Sequence, residues 1–83
     1  MNAAIAKTTG VAGIYTKAYD TAGQVIIEAM IKRGEQVIYL RDLYYTLGAD
    51  TAEKQNGVLW AVRHAKDRGD IANSSERGMY RVV

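Results

Sequence analysis

Eighty-three residues, 48% of them hydrophobic and 24% charged, make one small domain with a core of its own, too short for two domains and too apolar for a wholly disordered segment. The absence of cysteine excludes a disulfide scaffold, a thiolate metal site and a thiol nucleophile, and a single histidine leaves too few nitrogen ligands for a conventional zinc site. A formal net charge of +2 permits nucleic acid as a partner without demanding it.

In chain order, residues 1–10 are small, polar or alanine-rich without periodicity and read as a loose tail. Residues 11–20 read as an extra strand or helix packed on the domain, with Ile14, Tyr15 and Tyr19 as anchors. Thr21 is a good N-cap residue, and Ala22, Val25, Ile26, Ala29 and Met30 follow it at helical spacing up to the basic turn Lys32-Arg33 and the stop at Gly34. Gln36–Tyr39 is short, β-branched and aromatic, which predicts a strand. Leu40, Leu43, Tyr44 and Leu47 predict a helix of about two turns closed by Gly48. After a turn of about three residues, Asp50 or Thr51 caps the longest predicted helix, 51–68. Gln55, Val58, Leu59, Val62 and Ala65 mark its core side, and Gly69 stops it. Ile71 and Met79–Val83, joined by the polar stretch 73–78, predict a β-hairpin with Tyr80 and Val82 on one face and Arg81 on the other.

No apolar run approaches the roughly 18 residues of a membrane span, and Met1–Lys7 lacks the charged-then-apolar order of a signal peptide, so a cytoplasmic protein without a membrane partner is expected. The first fifty residues balance five basic against five acidic side chains, whereas residues 51–83 hold six basic and four acidic. An anion-binding surface is therefore expected in the C-terminal part.

The order helix, strand, short helix, tight turn, long helix, hairpin resembles a winged helix-turn-helix domain over residues 21–83, an α+β fold of three helices and a small antiparallel sheet with a C-terminal β-hairpin wing. Tyr39–Leu43, Asn56–Val62, Arg68–Ile71 and Gly78–Val82 look like the HARE-HTH and related restriction-enzyme-associated winged helices. Asn56-x-x-Leu59-Trp60-x-Val62 is also similar to the Asn-x-x-Leu-Tyr-x-Leu stretch of Z-alpha domains, which bind left-handed duplexes. Trp60 stands where that family has Tyr, Gly69 comes about a turn late, and the proline-rich wing is missing.

The resemblance implies that helix 51–68 reads the major groove and wing 73–78 meets the backbone. Residues 1–20 are left as a tail and an extra packing or dimer segment. Thr51, Lys54 and Gln55 lie in the first turns of that helix, where such domains place base and phosphate contacts. Gln55 lies near the core side as well, so it alternatively satisfies a buried backbone group. Trp60 projects away from Val58, Leu59 and Val62 together with Glu53, Asn56, Gly57, His64 and Asp67. It either enters a groove or partner, with Asn56 on a base edge, Arg63 flanking and Gly57 admitting close approach, or packs under residues 11–20. Arg77 at the hairpin tip and Arg81 on its outer face are candidate backbone or minor-groove contacts, or solubilising charges. His64 has no second ligand or nucleophile at helical spacing, Gly10-x-x-Gly13 lacks the basic neighbours of a phosphate loop, and Tyr45 projects outward as a dimer contact. The expectation is a non-enzymatic double-stranded-DNA-binding protein, a small transcriptional regulator or nucleoid-associated factor, dimeric through the 11–20 segment. No cofactor, metal or small-molecule substrate is expected. The alternative is a protein-interaction module anchored by Trp60.

Overall fold

The computed structural model describes residues 2–83, with side chains from residue 13 onward. It is an α+β arrangement in the order α1 (Asn2–Lys32), β1 (Val37–Tyr39), α2 (Leu40–Leu47), α3 (Ala52–Asp67), β2 (Ile71–Asn73) and β3 (Met79–Val82). The strands form one antiparallel sheet in the order β1-β3-β2, with Ile38 opposite Tyr80 and Ile71 opposite Val82. The core lies where α1, α2 and α3 cover one face of this sheet: Ile27, Met30, Ile38, Leu43, Val58, Ala61, Val62, Ala65, Ile71 and Tyr80 are buried together. Among the described residues no helix is long and apolar enough to cross a membrane.

Helix α1 does not begin at Thr21. It runs through that residue without a break, and residues 13–20 are helical. Nothing between Gly13 and Thr21 interrupts a helix, and the segment has a partner: Thr16, Tyr19, Asp20 and Gly23 lie against α3. Tyr19 packs on the core, but Ile14 is 67% exposed and does not serve as an anchor. The inward stripe is Thr16, Asp20, Gly23, Ile27 and Met30, so Val25 and Ala29, read as core from their spacing, face solvent. Three of the five residues of the true stripe are polar or glycine, and an apolar rhythm does not detect it. Residues 2–10, read as a loose tail, are the first turns of α1; the reading of Gly10-x-x-Gly13 falls largely on side chains outside those described.

Between α2 and α3 the chain reverses at Gly48, whose φ of 63° is left-handed backbone that a side chain would strain. The amides of Gly48 and Ala49 donate to Tyr45 O and Tyr44 O at 3.2 and 2.8 Å, closing the open carbonyls of α2. Thr51, not Asp50, caps α3: its Oγ1 accepts from the Lys54 amide at 3.3 Å. Helix α3 then runs sixteen residues to Arg68, its C-cap, and Asn73 belongs to β2, which leaves 74–78 as the hairpin loop.

Candidate nucleic-acid interface

Helix α3 has a core side and two flanks. Val58, Val62 and Ala65 are buried in the common core. The first flank meets α1. Gly57, expected on the open face, is buried there; a Cβ on it would sit 2.7 Å from Tyr19 Cβ and collide with the Thr16 carbonyl. Gly23 makes the reciprocal approach, with Ala61 Cβ 2.6 Å from where its own Cβ would be. These two glycines let the helix backbones nearly touch, which is why α1 rather than a ligand occupies this side.

Polar side chains on that flank are consumed within the chain. Asp20 accepts from Gln24 Nε2 at 2.9 Å and lies 3.2 Å from His64 Nε2. Arg68 donates to Gln24 Oε1 at 3.0 Å and to Asp70 Oδ2 at 3.1 Å. Lys54 closes on Asp50 at 3.0 Å and lies 5.7 Å from the centre of the Tyr19 ring. Their mutual hydrogen bond raises the Lys54 ammonium pKa and lowers that of the Asp50 carboxyl from their ordinary values. His64, read from sequence as a lone surface residue, belongs to this seam. Gln55 is also committed: its Nε2 donates to Ala49 O at 3.1 Å and braces the turn into α3.

The second flank is open. Asn56, Leu59, Trp60 and Arg63 line a shallow concavity of about 200 Å³. Leu59, expected in the core, is 42% exposed and Trp60 41%. Close helix packing on the Gly57–Ala61 side rotates α3 so that Leu59 leaves the core, a shift the sequence stripe does not reveal. The Arg63 guanidinium lies 5.3 Å from the Trp60 ring centre, a cation-π distance that holds both side chains along the helix surface. The other edge of Trp60 approaches His64, with ring centres 6.1 Å apart, so Trp60 borders the α1 seam without being covered by it.

Toward the sheet this open flank continues through Lys66. Its Nζ donates to Asn73 Oδ1 at 3.3 Å and lies 5.8 Å from the Tyr80 ring centre, linking the end of α3 to the hairpin. Arg77 sits apart, in a groove of about 300 Å³ that it shares with Tyr39, Arg41, Tyr44 and Glu76. Arg41 lies 4.8 Å from the Tyr39 ring centre. The hairpin comes close to α2 here because the Leu40 amide donates to Gly78 O at 2.8 Å. Arg81 alternates with buried Tyr80 on β3 and projects from the sheet face opposite α3.

Of the eight residues singled out from sequence, Asn56, Trp60 and Arg63 converge. Thr51 caps, Lys54 and Gln55 hold the entry to α3, Arg77 lies beside α2, and Arg81 faces away. Lys66 and Arg41 were missed. Lys66 stands three residues after Arg63, so its shared face was legible from helical spacing. Nothing local marks Arg41, whose proximity to Arg77 depends on the pairing of β1 with β3. Among the described residues, Arg63, Lys66, Arg77 and Arg81 have no carboxylate in ion-pair range, while Lys54 and Arg68 do. No family model, curated protein or solved structure matches the chain.

Proposed function

We propose that this chain is a winged helix-turn-helix protein that binds duplex DNA, a small transcriptional regulator or nucleoid-type factor, with the open flank of α3 in the major groove and loop 74–78 against the neighbouring backbone. The observation that supports this reading is the exposed row Asn56, Trp60, Arg63, whose amide and guanidinium have no hydrogen-bonded partner among the described residues. An asparagine amide can pair in two places with adenine N6 and N7, and an arginine with guanine O6 and N7 or with phosphate. Lys66 and Arg77 add phosphate contacts on either side. Lys54, Gln55 and Thr51 keep the helix in place rather than reading bases. Glu53 and Asp67 border the same flank and weaken purely electrostatic attachment, so affinity rests on few contacts.

Fluorescence anisotropy of a labelled random-sequence duplex across a salt titration tests the proposal. Three phosphate contacts, from Arg63, Lys66 and Arg77, predict a log-log slope of roughly −2.7. No binding at low salt would overturn it.

One observation favours a second reading, a protein-interaction module: Leu59 and Trp60 lie side by side and half exposed, as an anchor for a partner groove does. That reading predicts no salt-sensitive DNA binding and loss of a protein partner on Trp60→Ala.

A further inference from the structure

Helix α1 carries two apolar stripes, and the core uses only one. The second consists of Ile14, Ala18, Ala22, Val25 and Ala29, which at 100° per residue fall within an arc of about 80° on the side away from α3. Ala22 is half-buried and the other four are exposed, Val25 to 60%. No element of the chain lies over them among the described residues. Along one edge of this stripe stand Lys17 and Glu28, both exposed and neither in an ion pair among the described residues, although Lys32 is one turn from Glu28.

We infer that a second copy of this chain packs antiparallel along this face. The pattern is self-complementary about a two-fold axis between Thr21 and Ala22. In that register Ile14 meets Ala29 of the second copy, Ala18 meets Val25, and Lys17 lies beside Glu28, twice by symmetry. The edge bearing the charges on one helix adjoins the same edge on the other, so both opposite-charge contacts form together. A parallel two-fold pair would put the two charged edges on opposite sides of the seam and form neither contact. Alanines at three of the five positions let the backbones approach closely, while Ile14 and Val25 supply the larger contacts. The stripe spans about four turns of helix, short of a standard interface, so the dimer forms at micromolar rather than nanomolar concentration. The face lies opposite the α1–α3 seam and leaves Asn56, Trp60 and Arg63 uncovered, and the inference does not depend on what those residues bind.

Sedimentation equilibrium of the full chain from 1 to 200 µM tests it, with those loadings chosen to bracket a micromolar constant over a roughly two-hundredfold range. The expected result is a mass rising from 9.1 kDa toward twice that value. Val25→Glu should hold the protein monomeric and melt as the unaltered chain does at concentrations below the dimer's dissociation constant. Lys17→Glu should weaken the dimer about tenfold, and the double exchange Lys17→Glu with Glu28→Lys should restore it. A monomer at every concentration, or a dimer indifferent to Val25→Glu, would overturn the inference. A dimer weakened by Lys17→Glu but not restored by the double exchange would overturn the antiparallel register. Circular dichroism melts of each variant separate these outcomes from misfolding, and DNA binding does not enter the readout.

Discussion

On the flank of α3 that faces α1, Lys54, His64 and Arg68 each end on an oxygen of this chain. On the other flank, Asn56 and Arg63 end on no oxygen or nitrogen of the described residues, and Lys66 reaches only the exposed amide oxygen of Asn73. The two flanks belong to one sixteen-residue helix and carry similar residue types, so composition does not distinguish them. Glycine does. Gly57 and Gly23 allow α1 to close on one side, and the polar groups there become internal fasteners. Trp60 and Leu59 hold the other side open. A basic residue on a helix is thus a ligand contact or a fastener according to whether a neighbouring backbone can reach it.

Breaking the closed flank should have the largest effect. Gly57→Val forces a branched side chain into the Thr16 carbonyl and Tyr19, and should cost about 3 kcal/mol, read as a lower urea midpoint. Asn56→Ala, one residue away on the open flank, should change stability by less than about 0.5 kcal/mol in the same experiment. Equal effects would mean that the two flanks do not differ as described. Gln55→Ala removes the bond to the Ala49 carbonyl and should cost about 1 kcal/mol. A lowered stability with no change in the proposed duplex binding would assign it to bracing the turn.

The smallest effect concerns the core side of the molecule. Burial raises the phenol pKa of Tyr80, and burial together with nearby Tyr80 raises that of Tyr44, above the ordinary value of about 10. A raised folded pKa means that the stabilisation is complete below the unfolded value and is lost as pH climbs through the folded one. Urea midpoints should therefore hold from pH 8 to 10 and fall above that, and Tyr80→Phe should flatten the fall. An unaltered alkaline decline in that variant would place its origin elsewhere.

Much of the fold was legible in the sequence. Gly48 and Gly69, the stripe Leu40-Leu43-Tyr44-Leu47 and the β-branched runs mark α2, the end of α3 and the sheet, because each is set by local geometry. The beginning and rotation of α1 were not legible. Thr21 looks like a cap only if the chain before it is not helical, and the contacts that stabilise that stretch lie some forty residues away at Gly57 and His64. The same long-range contact moved Leu59 outward and Gly57 inward. For the candidate site, Asn56, Trp60 and Arg63 were legible because they are simple helical neighbours. The backbone role of Gln55 was legible from its place near the core side and is met at the Ala49 carbonyl, whereas the fastening of Lys54 by Asp50 was harder to see, because it depends on which of two residues caps the helix.

Two double variants that remove equal charge from the same helix separate its open flank from its closed one. Salt titrations of duplex-DNA anisotropy should be run on Arg63→Ala with Lys66→Ala, and on Lys54→Ala with Arg68→Ala. If the open flank faces DNA, the first pair loses affinity and flattens the log-log slope by roughly 1.8, whereas the second pair keeps the slope and lowers the melting temperature. Equal losses of affinity in both pairs would show that only net charge matters, and would contradict the assignment of the open flank of α3 as the DNA-facing surface.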